Sequence, residues 1–567
     1  MPERPELTVQ GWGPPTGRVA TVAAREGTDD GVLELAPDVH LGRTLPAGAR
    51  RHLSRELGWT PRSTPPVPLA EVQLPPSRLD PAARVHLVAL LGAEHVADDR
   101  TTRLAHAGGR SYLDLVRRRA GDASDAPDAV VFPADTAQVA ALLRSCSQLG
   151  VVVVPYGGGT SGVGGLPGTD VDDRAVVAVD LRRMADVHAV DVPSSLVTVG
   201  PGLRGPDLET ALAAQGLTLG HTPRSWEFAT LGGCAATRSA GQSATGPGRF
   251  TDLVAGLTLA TPTGVLTLGT TPGTTAGPDL LGLALGSEGT LGVITELRLR
   301  VRPAPRRTVH EGWSFRTWAA GLAALQRLAR HDLLPDVVRL GDPDDTRATL
   351  LQGRGPGARL LRARSRTRRQ GGGCLLVVGW AGLPTIVQAR RSAAASVLRD
   401  GGATRLGRRP GQAWLRSRTA APYLRDRLMD AGLLVAELDT AATWTQLPAV
   451  YDAARRSLVG SLSTSGRRPL VLTSVSSAWA TGAALALTVL ADRDDDLPLQ
   501  QWLTAKRAAT DAVLAAGGTL THHSGIGADH RPWLTGVAGA PGVDVLRAVK
   551  AQLDPARICN PGVLLPD

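Results

Sequence analysis

The sequence predicts a chain of two or three domains mixing helices and strands around a βαβ unit, and three observations carry that reading. At 567 residues the chain exceeds the size at which one core stops growing. Between Asp128 and Leu166 an apolar run (Ala129–Phe132) reaches Pro133, a helix-period segment runs from Thr136 to about Gln148, and a second apolar run (Val151–Pro155) empties into the glycine-rich loop Tyr156–Gly165. Further on, Gly286–Pro303 sets a glycine turn before an alternating strand. A loop like the first can surround a pyrophosphate, because glycine permits unusual dihedrals and close backbone approach.

Residues 1 to about 80 are rich in Pro, Gly and Arg, with short segments such as Val32–Leu35. Trp12, between Gly11 and Gly13, reads as a hydrophobic peg anchoring this arm. Helical spacing predicts helices over Pro81–Leu91 and Tyr112–Arg119, and the acidic turn-forming stretch Gly121–Asp128 marks a boundary. After the glycine loop, Ala175–Leu181 and Leu196–Val199 read as strands and Pro206–Gln215 as a helix. His221–Gly264 holds a second cluster of small residues, so two clusters on strand ends can grip two parts of one extended ligand. Helices are expected over Thr385–Asp400 and Pro448–Ser457, and another ending near Asp554–Pro555. The basic, glycine-bounded Gly353–Gly373 reads as a solvated loop.

Hydrophobic content of 43% and charged content of 20% place the chain among globular proteins. The net charge of +10 is almost all arginine, since lysine occurs only at Lys506 and Lys550. Arginine accumulating alongside Ala and Gly reflects a G+C-rich coding bias, so no specific nucleic-acid partner is expected from it. Cys146, Cys234, Cys374 and Cys559 form no CxxC pair, which points to a reducing compartment and against a cysteine-rich metal site. No signal-peptide core and no run of about 18 apolar residues is present, so a cytoplasmic protein without a transmembrane segment is expected.

Three ordered segments, PYGGGTSGVGG (Pro155–Gly165), TLGG (Thr230–Gly233) and LGSEGTLGVITE (Leu285–Glu296), resemble the FAD-binding domain of the vanillyl-alcohol-oxidase (PCMH-type) flavoproteins. PRSWEFATLGG (Pro223–Gly233), GPDL (Gly277–Leu280), APYLRD (Ala421–Asp426) and HHSGIGADHRPWL (His522–Leu534) narrow the likeness to the alkyldihydroxyacetonephosphate synthases and their bacterial relatives. The loop also lacks the GK[ST] ending of a P-loop. The resemblance implies an α+β fold, with a PCMH-type FAD domain of two α+β subdomains and a cap of antiparallel sheet and helices. The expected divisions are an N-terminal arm and helical region over 1–121, the FAD domain over 122–305, the cap over 306–540, and a segment over 541–567 packing back on the FAD domain.

Carried over by motif, Pro155, Gly157, Gly158, Gly159, Thr160, Ser161 and Gly165 form the pyrophosphate cradle. Pro223, Ser225, Thr230, Gly232, Gly233 and Thr237 line the ring and ribityl side, and Glu288, Gly289, Gly292, Val293 and Ile294 the adenosine half. Thr160 occupies the place where some branches tether flavin through histidine, so non-covalent FAD is expected. Arg339 in VVRL is expected near the flavin, where a guanidinium can stabilise charge on the reduced ring. Arg425 in PYLRDRL is expected to hold a substrate phosphate, with Asp426 as its structural partner and Tyr423 as packing.

His522 and His523 read as adjacent residues of a strand, facing opposite ways, so that one of them faces a given ring and shuttles protons. No metal is expected, since no second ligand cluster lies nearby in sequence. The chain departs from the synthase pattern at Ser524, where a third histidine is usual, and at Ala486, where a proton-transferring tyrosine is usual. The segment before it, Ser474–Gly482, also lacks the histidines of bacterial relatives. Alanine cannot transfer a proton, and serine is a poor base without an activator.

The resemblance thus implies flavin N5 adduct chemistry that exchanges an acyl for an alkyl group on a phosphorylated ketone, with substrate or reaction altered by these replacements. An FAD-dependent D-2-hydroxy acid dehydrogenase or oxidase, and a non-catalytic FAD-binding relative, are the alternatives. The expected partners are an anionic small molecule (phosphate or carboxylate) and, by likeness, a second copy in a homodimer.

Overall fold

A computed structural model of the chain describes residues 7–13, 47–166, 173–269, 271–352 and 373–566. Val32–Leu35 and the basic segment up to residue 372 lie outside the described residues. The architecture is α+β, as expected, and three sheets position the site.

The first sheet runs Val96–Ala97, Ala129–Val131, Val176–Asp180, Val152–Tyr156 in spatial order. Its last three strands are parallel, and the first is an antiparallel edge. The near-continuous valine runs follow from this arrangement, since a parallel strand covered on both faces must be apolar throughout. The crossover helix Thr136–Leu149 starts where the Asp135 carboxylate accepts the Gln138 N–H at 2.8 Å. It stops at Gly150, whose φ of 67° suits a left-handed cap.

The second sheet is antiparallel, in the order Val187–Asp191, Leu196–Val199, Val293–Arg300, Val254–Thr261, Gly264–Leu268. The third glycine segment feeds its central strand. The C-terminal helix, Leu534–Leu553, kinks at Gly539, and the chain then returns to the first sheet. There Val153 donates to Ile558 O and Asn560 N donates to Val153 O, both at 2.8 Å, covering the free edge of Val152–Tyr156.

The third sheet has seven antiparallel strands: Thr404–Gly407, Arg307–Phe315, Cys374–Gly382, Val337–Gly341, Leu470–Trp479, Gly482–Asp492 and Leu433–Thr443. Period-two alternation splits its residues between two faces. Val338, Leu340, Leu376, Val378, Leu485 and Leu487 lie on one face, in the core with Leu325, Leu398 and Leu458 of three covering helices. The other face carries small and polar residues among apolar ones. Asp439, Ala486, Ser474 and Gly341 form one cross-strand row across four strands, and Arg339 lies two residues from Gly341 on the same face.

Candidate functional site

The glycine loop follows directly from the strand Val152–Tyr156. A methyl group at Gly157 would run into Thr230 Oγ1, and one at Gly158 into Phe228 O, so the first and second small-residue clusters lie against each other. Gly159 has φ +65°, beside the Tyr156 ring. Among the described residues, no acceptor takes the backbone N–H groups of Gly157, Gly158, Gly159, Thr160 and Ser161. Ser161 Oγ instead accepts the Gly165 N–H at 2.9 Å and so closes the loop. A run of such N–H donors, three of them on glycines without a Cβ, suits a pyrophosphate. Thr160 is partly buried in that run.

In the second cluster Pro223 is buried and Ser225 O accepts the N–H groups of Phe228 and Ala229 at 2.9 Å. Thr230 caps the short helix Leu231–Ala236, Gly232 lies on Pro201, and Thr237 Oγ1 donates to Gly233 O at 3.0 Å. In the third segment Gly289 (φ +79°) abuts Pro155, which joins it to the first. Gly292 approaches Ala260 O closely. Val293 and Ile294 are buried core residues, in the cores of the first and second sheets respectively. The Glu288 carboxylate accepts from Ile526 N at 2.6 Å and Gly527 N at 2.9 Å. Burial pushes this carboxyl up to about 7 against the pull of those two bonds.

Residues 518–530, which carry the histidines, do not form the strand expected of them. Asp439 takes the N–H groups that a neighbouring strand would have used: His522 N at 2.5 Å and His523 N at 2.8 Å. It also accepts from Ser524 Oγ at 2.5 Å and Thr521 Oγ1 at 3.2 Å, and lies 3.4 Å from His523 Nδ1. Burial pushes the Asp439 carboxyl up, but the His523 imidazole and these hydrogen bonds outweigh it and hold it well below the usual range. The two imidazoles meet edge to face, their centroids 6.1 Å apart. His522 is buried, stacks on Trp479 at 5.5 Å, and meets Ser477 Oγ at 3.3 Å through Nε2. Burial, with the neighbouring His523, lowers its pKa to about 4, so it is neutral at pH 7. His523 is more open, its side chain 27% exposed.

Arg339 is held by Asp345 at 2.7 Å, at the start of the helix Pro343–Gln352. Arg425 donates through Nη2 to Arg110 O at 2.7 Å, and its buried Nε has no partner among the described residues. Asp426 does not pair with it; its Oδ2 accepts the Trp12 N–H at 2.6 Å. Tyr423 is buried in packing, as expected, but also donates to Glu227 Oε2 at 2.7 Å.

Sequence reasoning missed Asp439 and Arg110. Asp439 had a signal, an acidic residue inside the largely apolar strand Leu433–Thr443. Arg110 had none, being one arginine among dozens. Among the described residues no three His, Cys, Asp or Glu side chains converge as a metal site, and no helix is long and apolar enough to cross a membrane.

Residues 127–269 match the family described as FAD binding domain, and residues 304–564 match FAD linked oxidases, C-terminal domain. Alkyldihydroxyacetonephosphate synthase of Dictyostelium discoideum is 31% identical over 512 residues, covering 89% of this chain and 84% of that protein. A solved structure of an alkyldihydroxyacetonephosphate synthase superposes with a TM-score of 0.80 at 29% identity, covering 91% of this chain and 92% of that one. The mitochondrial D-lactate dehydrogenase [cytochrome] of Arabidopsis thaliana is 37% identical over 193 residues, 34% of this chain and 33% of that protein. The cofactor of the chain is FAD.

Proposed function

Since the chain belongs to the alkyldihydroxyacetonephosphate synthase family of FAD-binding proteins, we propose that it binds FAD non-covalently and exchanges an acyl for an alkyl group on a phosphorylated ketone, or carries out a close variant of that exchange. The observation that carries this reading is the Asp439 anchor. It fixes His522, His523 and Ser524 over the polar sheet face, in the row that contains Ala486. Bound FAD would supply the nucleophile and electron sink at the ketone carbon. Gly157–Ser161 would hold its pyrophosphate by N–H donation. Arg425 would take the substrate phosphate, and Arg339 would stabilise charge at the ring. His523, open and paired to a carboxylate, is the group best placed to carry a proton, since His522 is enclosed between Trp479 and Ser477. Cross-strand from Asp439, Ala486 supplies no proton, and Ser524 is committed to Asp439. A slower reaction or a changed leaving group follows from those two positions.

The test is exchange of an acyl dihydroxyacetone phosphate with a long-chain alcohol, using the parent, Ala486→Tyr and Ser524→His. A restored general acid or base is expected to raise exchange by roughly 10²-fold in Ala486→Tyr. If no protein exchanges the groups or perturbs its flavin spectrum with any phosphorylated ketone, the reading fails. The local likeness to D-lactate dehydrogenase favours a second reading, which the same protein tests. Bleaching of the flavin by D-lactate under anaerobic conditions would replace the exchange reaction with hydroxy-acid oxidation.

A further inference from the structure

The segment 7–13 is gripped more tightly than a surface arm requires. Arg110, 1% exposed, donates through Nη2 to Thr8 O at 2.8 Å and through Nε to Gly11 O at 3.3 Å, while Asp426 holds the Trp12 N–H at 2.6 Å. These bonds bury Trp12 to 6% exposure in a cluster with Phe228 and Tyr423. The Trp12 ring meets Phe228 edge-on at 5.6 Å, and Phe228 O is the atom against which Gly158 packs. The Arg425 guanidinium lies over the Trp12 ring, 6.0 Å from its centroid. Arg110 then completes a circuit: its O accepts from Arg425 and its N donates to Ser161 O in the glycine loop, at 2.6 Å. Two buried donors in this cluster, Trp12 Nε1 and Arg425 Nε, have no partner among the described residues, although buried donors are nearly always satisfied.

We infer that the segment 7–13 is part of the anion site: Trp12 holds the Arg425 guanidinium against its ring and also binds the phosphate directly through its own indole N–H. This rests on the reading of Arg425 as the anion-holding residue. The arrangement suits a phosphate monoester, because an aromatic face keeps a guanidinium in place without neutralising it, as a carboxylate partner would. It also couples the anion site to the cofactor loop through the Arg110 backbone.

The test titrates inorganic phosphate into the FAD-loaded full chain, following the visible flavin spectrum, with FAD content and melting temperature measured beside it. Trp12→Ala is expected to weaken phosphate binding about ten-fold, and Trp12→Phe, which keeps the ring and loses the N–H, about three-fold, both at parental FAD content. Parental phosphate affinity in Trp12→Ala overturns the inference, as does a loss in both variants that only follows lost FAD or a lowered melting point. Arg425→Gln separates the two readings. If it binds phosphate like the parent, the anion role of Arg425 falls; if it alone loses binding while Trp12→Ala does not, only the role of Trp12 falls.

Discussion

At the residue scale the chain buries many charged side chains and gives them several partners at once. Asp439 is a buried carboxylate with partners from four consecutive residues of one loop, which makes it the residue on which the histidines depend. The two lysines show the same pattern. Lys550 Nζ meets Thr290 O, Asp554 Oδ2 and Cys559 O, each at 2.6 Å, and Lys506 meets Asp529 at 2.7 Å beside the glycine loop. Three convergent acceptors match an ammonium and not a planar fork, so lysine persists there in a chain that otherwise uses arginine. Asp439→Asn tests the anchor. With its folded pKa depressed, Asp439 contributes stability above its unfolded value near 3.8 and loses it as pH falls through the acid range. The variant should be less stable at pH 7 by about 3 kcal/mol, as when one partner of a buried pair is removed. Its stability should also depend less on pH below about 4. Denaturant melts of both proteins from pH 3 to 7 measure this. Parallel curves would mean that the carboxylate charge does not hold the loop.

At the element scale, what could be read in the sequence was what local chemistry determines. The helices Pro81–Leu91 and Tyr112–Arg119 were visible to the residue in their helical spacing, and Asp80 and Ser111 cap them in the structure. The strand, helix, strand and loop of the first cluster were visible because glycine and the valine runs are their own signals. The histidine segment was misread as a strand. The acceptor for its N–H groups lies on a strand more than 80 residues earlier, and no local pattern records it. The circuit from Ser161 through Arg110 to Arg425 was hidden for the same reason. The glycine loop makes a sharp claim of its own. A methyl at Gly158 meets the backbone carbonyl of Phe228, which cannot swing away as a side chain could. Gly158→Ala should therefore weaken FAD retention about ten-fold, within the 1–3 kcal/mol range of overpacking. The ratio of absorbance near ~450 nm to that of the protein, after gel filtration, reads this out. Gly460→Ala, in the helix Leu447–Leu462 with nothing within 4 Å, is the control and should retain FAD fully. Equal retention in both variants would remove Gly158 from the cradle.

At the scale of the whole molecule, segments far apart in sequence meet at one seam. The glycine loop bonds to the histidine segment through Ala528 N to Gly164 O and Asp529 N to Val163 O, both at 3.1 Å. Glu288 reaches the same segment from the second sheet, and Asn560 from the C-terminal return, donating to Gly165 O at 3.2 Å and Glu288 O at 2.6 Å. Glu288 lacks a cation within ion-pair distance among the described residues and is pushed up to about 7, so the seam carries an uncompensated polar burden. A dinucleotide spanning the seam would add contacts to both sheets and to the histidine segment at once, and its binding free energy would become folding free energy by mass action. Stripping the cofactor should therefore destabilise the seam as a unit. At free FAD of about 100 times its dissociation constant, the loaded protein should be more stable than the stripped one by about 2.7 kcal/mol. Limited proteolysis of the stripped protein should cut first around residues 518–530, and added FAD should suppress that cleavage. Thermal melts in graded FAD measure the stability term. Coincident melts, with cleavage unchanged by FAD, would mean that the cofactor lies outside the seam and that the four segments are held by protein contacts alone.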